Sequence, residues 1–256
     1  MLRLRWLVFT GFWGLWTAIF GLLIPVLWSV RSPPATVRTL SRAWARGVLS
    51  LLSGIVGLAY IERGRDRVPR TPGLIVANHQ STWETLAALV LFPDVAIIAK
   101  RELLQIPVMG WYLRRSPMII IDRDAGSKAL REMVQQSQAA LAAGRSILIF
   151  PEGTRKPVGE PIKFKRGVEL LYRTLGVPVL PVVVNSGIFW SIGGGPKRPG
   201  MIIVSFLAPI LPGLSATDFA AQAEAMMQLE KSALEREEHD ATKTLATGPK
   251  RAADHG

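Results

Sequence analysis

From Trp6 to Val30 the chain carries no charged residue, 25 positions in succession. Coiled as an α-helix, such a run is roughly 37 Å long at ~1.5 Å per residue. A bilayer's hydrocarbon core needs only ~20 residues. Trp6, Trp13, Trp16 and Trp28 lie in it and include both ends, where interfacial anchors sit. Pro25 predicts a kink or an early end. The apolar part of a cleaved leader is usually ~7–15 residues long, and no A-x-A site follows this run, so the expectation is a helix kept in the membrane.

The next segment, VRTLSRAWARGVLSLLSGIVGLAY, has Arg38, Arg42 and Arg46 at intervals of four, hence on one helical face. Val37, Leu40, Trp44, Val48 and Leu51 fall opposite. That pattern suits a helix at the bilayer interface, and equally one packed on a domain. The two helices could also form a hairpin dipping into one leaflet. Arg31, Arg38, Arg42 and Arg46 follow the apolar run while Arg3 and Arg5 precede it. The positive-inside bias then puts the rest of the chain on the cytoplasmic face of the inner membrane.

The net charge of +12, from 31 Lys+Arg against 19 Asp+Glu, suits a polyanionic partner or surface. Nucleic acid, an anionic bilayer and phosphorylated substrates all qualify, and the apolar run favours the membrane. A nucleic-acid module is disfavoured further because the basic residues lack interleaved aromatics. The chain has no cysteine, which excludes disulfides, thiolate metal sites and a cysteine nucleophile.

After the polar stretch ERGRDRVPRTPG come short β-branched runs at 74–78, 95–100, 118–122, 146–150, 179–184 and 201–207. Helical stretches separate several of them, the clearest being 126–144, which ends on Gly144. Apolar strands alternating with helices predict an α/β fold, a mainly parallel sheet covered by helices, behind N-terminal membrane-associated helices. The expected division is 1–61 membrane-anchoring helices, 62–240 an α/β domain and 241–256 a disordered tail.

In such sheets ligands gather at the carboxyl ends of the strands. The polar residues there are Asn78-His79, Lys100-Arg101, Asp122-Arg123 and Pro151 to Arg155. His79 is one of three histidines; the others lie in a charged run and in the tail. Glu84 follows five residues on, across a strand-to-helix turn, and its carboxylate could fix the ring's tautomer and leave the other nitrogen as a base. No G-x-S-x-G elbow and no set of catalytic metal ligands accompanies the pair. A His–acid pair without a protein nucleophile suggests that the substrate supplies one, a bound hydroxyl attacking an activated acyl carbon. Arg123 and Arg155 suit a substrate phosphate, because guanidinium binds its oxygens bidentately.

These residues, in this order, resemble the 1-acylglycerol-3-phosphate acyltransferases of the glycerolipid acyltransferase family. The family's N-H-x4-D motif is met as NHQSTWE, its G-x-x-F-I-D-R motif as 117-PMIIIDR-123, and F-P-E-G-T-R is complete from Phe150 to Arg155. A V-P-V-hydrophobic-P segment is met as 177-VPVLPVVV-184, and the resemblance spans about residues 70–210. It implies His79 as base and Glu84 as its acidic partner. It implies substrate binding by Lys100, Arg123, Glu152, Gly153, Thr154 and Arg155. It further implies transfer of a fatty acyl group from acyl-CoA or acyl carrier protein, as co-substrate, to lysophosphatidate at a bilayer, with no cofactor and no metal. Glu84 stands where the family has aspartate, and Pro117 and Ile120 replace the expected glycine and phenylalanine. A different lysolipid acceptor, such as lyso-ornithine lipid, or a membrane-anchored lipid-binding scaffold are the alternatives.

Overall fold

The computed structural model describes residues 1–92, 94–122 and 125–246. Seven strands form one sheet: β1 (Leu58–Arg63), β2 (Leu74–Ala77), β3 (Ala96–Lys100), β4 (Ile119–Ile121), β5 (Ile147–Ile149), β6 (Val179–Val184) and β7 (Gly200–Phe206). Their order is β1-β7-β6-β2-β5-β3-β4. All neighbours run parallel except β6 and β7. The α/β expectation therefore holds, with one antiparallel pair.

Burial on both faces explains why the central strands read as unbroken apolar runs. Every residue of β2, β5 and β6 is buried. Ile75, Leu148 and Val182 feed one core layer and Leu74, Ile147 and Val183 the other. The first layer is covered by α3 (Pro34–Leu51) and α4 (Trp83–Leu91). The second is covered by α6 (Gly126–Ala142), α7 (Arg166–Leu175) and α8 (Ala216–Ala246), while α5 (Met109–Arg115) packs beside α3.

The boundary expected at 61/62 falls inside β1, which is an edge strand of the sheet in register with β7 from Leu58 to Arg63. The sheet thus begins before the polar stretch that suggested its start. A single edge strand shows little alternation beside the apolar helix it follows, so its first residues read as part of that helix and Glu62 and Arg63 as the polar stretch. At the other end α8 continues through Ala246, into the segment expected to be a tail; residues 247–256 lie outside those described.

The N-terminal run forms α1 (Leu2–Leu22) and α2 (Ile24–Ser29), with Pro25 in the first turn of α2, where its missing N–H costs nothing. Together they make one stretch, Leu2–Ser29, long and apolar enough to cross a membrane. It has two apolar faces. Phe9, Phe20 and Leu27 are buried against the domain, and Trp13 and Trp16 pack beside them. Leu4, Leu7, Phe12, Leu15, Ile19, Leu22 and Val26 form an exposed stripe on the other side. Helix α3 lies between this helix and the domain. Trp44 donates to Thr17 Oγ1 at 3.1 Å and accepts at its carbonyl from Trp16 Nε1. Of the arginine row, Arg38 pairs with Asp94, and Arg42 donates to the Leu89 carbonyl at 3.2 Å. Of the two placements open for α3, packing on the domain is the one observed.

Where β2 ends, a side chain continues its ladder. Asn78 Nδ2 donates to the Val184 carbonyl at 2.9 Å, and Val184 N–H donates to Asn78 Oδ1 at 2.8 Å. The amide thus takes the place of a peptide unit and lets the backbone turn out of the sheet at His79. Asn78→Ala strands a buried donor and acceptor, at about 1–3 kcal/mol each. It is expected to lower the melting temperature in detergent, and Asn78→Asp, which cannot donate, to do nearly as much harm; a thermal melt of the purified proteins checks both.

Candidate active site

His79 leaves the sheet at the end of β2, and Glu84 stands in the first turn of α4. Their side chains meet, Nδ1 to Oε1, at 2.8 Å. Glu84 is buried, and burial pushes its carboxyl up, but the bond to His79, that residue's charge and the bonds from Ser81 outweigh it and hold the carboxyl below its ordinary value. The backbone N–H groups of Gln80 and Ser81 each donate to Oε1 at 2.6 Å. The hydroxyls of Ser81 and Ser186 donate to Oε2 at 2.6 and 2.7 Å. An ionised Glu84 accepts from Nδ1–H and leaves Nε2 as the bare nitrogen. The imidazole also stacks on the Phe150 ring, with centroids 4.1 Å apart and planes 17° apart.

His79 lines a cleft of about 450 Å³ whose cations among the described residues are Lys100, Arg155 and Lys165. Gly153 and Thr154 line it too, so five of the expected residues, His79, Lys100, Gly153, Thr154 and Arg155, meet on one rim. Lys100 pairs with Glu102 at 2.6 Å, and Arg155 donates to Thr82 Oγ1 at 3.2 Å. Arg123 lies outside the described residues. Gly153 has φ +69°, and a Cβ built there would lie 2.9 Å from Lys165 Cδ. The glycine lets the Lys165 side chain cross the loop.

Glu152 departs from expectation. It was expected to bind substrate, yet it is buried and turned beneath the loop, where Oε1 accepts the His79 backbone N–H at 3.0 Å. Its partner is the histidine's own backbone. Burial pushes the Glu152 carboxyl up to about 7; Glu84 adds to the rise, and the His79 N–H, Lys231 and Lys156 oppose it.

Sequence reasoning missed Lys165, Phe150, Ser81 and Ser186. Lys165 follows the complete F-P-E-G-T-R motif by ten residues, and the strand-end rule does not reach it. Ser186 lies past the end of β6, where that rule does apply, so its polar position was a usable signal.

A second, apolar pocket of about 100 Å³ adjoins the cleft, lined by Phe20, Trp44, Leu86, Leu89, Val108 and Tyr112 among others. Thr85, Ile97, Ala99 and Leu103 line both.

Glu152's raised carboxyl carries a pH-dependent stability. A buried acid with its pKa raised from 4.5 to about 7 favours folding fully below the lower value, and loses that contribution as pH rises toward the upper one. The loss is about 3 kcal/mol by linkage. Melting temperature should therefore fall as pH rises through this window, and Glu152→Gln should flatten the slope.

The family model described as Acyltransferase matches residues 60–185. A 1-acyl-sn-glycerol-3-phosphate acyltransferase of Pseudomonas aeruginosa is 40% identical over 170 residues, 66% of this chain and 66% of that protein. The alpha form from Mus musculus is 32% identical over 179 residues, 67% of this chain and 62% of that one. The chain thus spans just under two thirds of these relatives' lengths. A solved structure of the 1-acyl-sn-glycerophosphate acyltransferase of Thermotoga maritima superposes with TM-score 0.76 at 23% identity, covering 92% of this chain and 98% of that one; it shares the fold. The span matched by the family model holds the His79–Glu84 pair and every residue that lines the cleft, and the chain belongs to the acyltransferase family.

Proposed function

We propose that this protein transfers a fatty acyl group from acyl-CoA or acyl carrier protein to the sn-2 hydroxyl of 1-acyl-sn-glycerol-3-phosphate, giving phosphatidate. The observation that carries the reading is the 2.8 Å His79–Glu84 pair. It leaves one ring nitrogen bare at a cleft lined by Lys100, Arg155 and Lys165, beside an apolar pocket. The relatives named above carry this activity in their names.

In the proposed reaction Nε2 of His79 takes the proton from the acceptor hydroxyl as its oxygen attacks the thioester carbonyl carbon. Glu84 holds Nδ1–H and stabilises the imidazolium that forms. The tetrahedral intermediate collapses, the C–S bond breaks, and the departing thiolate takes the proton from His79 to leave as thiol. Lys100, Arg155 and Lys165 receive phosphate oxygens of acceptor or donor. Arg123, from the family motif, joins them in this reading. The apolar pocket takes an acyl chain, entering between Thr85, Ile97, Ala99 and Leu103.

The exposed stripe of α1–α2 meets the bilayer. Because its opposite face is packed on the domain along most of its length, we infer that the helix lies within one leaflet. That leaflet is the cytoplasmic one of the inner membrane, the side favoured by Arg31, Arg38, Arg42 and Arg46 after the apolar run. No cofactor is required.

Acyl transfer from labelled donors to lysophosphatidate, in detergent or membranes, tests the reading. His79→Ala is expected to lower the rate by about 10²–10⁴-fold. Transfer to lyso-ornithine lipid alone would keep the chemistry and reject the acceptor; no His79-dependent transfer to any lysolipid would leave a lipid-binding scaffold. Leu103→Trp fills the junction of cleft and pocket. Its use of long acyl donors should fall by about tenfold relative to short ones, a difference of about 1.4 kcal/mol, read as the ratio of kcat/KM values.

A further inference from the structure

Helix α8 lies outside the span matched by the family model, which ends at residue 185. Its apolar side, Phe219, Ala223, Met227 and Leu234, packs on the sheet. Its polar side carries Glu224, Gln228, Lys231 and Glu235, spaced by four, three and four, hence one stripe on the helix. The stripe faces the loop that follows the F-P-E-G-T-R motif. Glu224 accepts the Phe164 N–H at 2.6 Å and Gln228 the Ile162 N–H at 2.9 Å. Lys231 donates to the Glu160 carbonyl at 2.9 Å and pairs with Glu235 at 2.8 Å. Glu235 Oε1 accepts the Gly159 N–H at 3.3 Å.

A stripe that only fastened the helix would stop there. This one reaches the proposed base by two routes. Gln80 Nε2 donates to the same Glu235 oxygen at 3.5 Å, while Gln80's own backbone N–H donates to Glu84. The near end of the clamped loop closes on the histidine: Lys156 N–H donates to the His79 carbonyl at 2.7 Å. Lys231 is 2% exposed, and a cation so enclosed is costly to bury without a built set of partners.

We propose that Lys231 and Glu235 are positioning residues for the His79–Glu84 pair, holding the 156–164 loop and Gln80 so that the imidazole keeps its place at the cleft. The proposal rests on the reading of His79 as general base. Lys231 acts a second way, through charge. The groups around Glu152 are Glu84 from α4, Lys156 from its own loop, Lys231 from α8 and the His79 N–H. The Lys231 cation favours the ionised Glu152 that accepts that N–H. Without it, Glu152 holds its proton to higher pH and its grip on the His79 backbone weakens.

The test compares full-length wild type, His79→Ala, Lys231→Met and Glu235→Gln in acyl transfer to lysophosphatidate, with kcat, KM and pH profile for each and a melt to measure folded protein. Misplacing a catalytic group by up to about 1 Å costs about ten- to a hundredfold in rate. Per folded molecule, kcat should fall by that range in both α8 variants, with KM within about twofold of wild type. The acid limb of kcat should move to higher pH in Lys231→Met and not in Glu235→Gln. If wild type is active, His79→Ala inactive and both α8 variants keep wild-type kcat per folded molecule, the positioning role is overturned alone. A change confined to KM, or a loss that only tracks unfolded protein, overturns it equally. If wild type itself transfers nothing to any lysolipid, the general-base reading falls and takes this one with it.

Discussion

A single ionised carboxylate buried at the start of α4 sets the local architecture. Glu84 is 3% exposed, and an anion removed from water is tolerated only where donors replace its hydration. Five do so: two backbone N–H groups, two hydroxyls and the His79 ring. Four of them belong to the turn between β2 and α4 and the fifth, Ser186, to the segment after β6. The N–H groups fix the turn between β2 and α4, and Ser186 draws in the segment after β6. His79 is the donor that faces the cleft, so the satisfied carboxylate makes the ring orientation a consequence of folding. The extra methylene of glutamate, where the family has aspartate, does not loosen this arrangement, because the 2.8 Å bond to Nδ1 forms together with all four others.

The same logic of partners governs the N-terminus. A helix buried on one side and apolar on the other leaves its outer stripe in need of a non-aqueous neighbour. The inner side joins it to the apolar pocket: Phe20 and Tyr112 line that pocket, and Tyr112 Oη donates to the Phe20 carbonyl at 3.0 Å. The element proposed to rest in lipid is thus also a wall of the space proposed to hold a lipid chain, so anchoring and acyl binding share one piece of structure.

Residues whose role depends on near neighbours in sequence were legible. The sheet, the apolar run and the His79–Glu84 pair each follow from spacing within a few residues. Residues whose role depends on distant partners were not. Asn78 reads as the first letter of a motif, and only pairing with Val184 reveals it as a substitute peptide unit. Glu152 is implied as a substrate ligand by the resemblance of F-P-E-G-T-R to the family motif, yet its carboxylate meets the backbone 73 positions earlier in the chain. β1 was lost for a related reason: its partner, β7, lies far along the sequence and gives no local alternation. Along α8, Lys231 and Glu235 look like an ordinary i,i+4 ion pair until the loop they clasp is in view.

Two glutamates bear on one histidine, and their environments drive them apart. Glu84 bonds the ring and is kept ionised by donors; Glu152 bonds the backbone N–H and is held near neutrality by burial and by Glu84's own charge. Two full anions so close would raise each other's pKa. Keeping one carboxylate firmly charged and the other poised confines the permanent anion to the ring side, where it fixes the tautomer. The backbone side is left adjustable by the cations of α8 and of the 156–164 loop. The hold on the proposed base's backbone is therefore tuned from outside the motif that contains it.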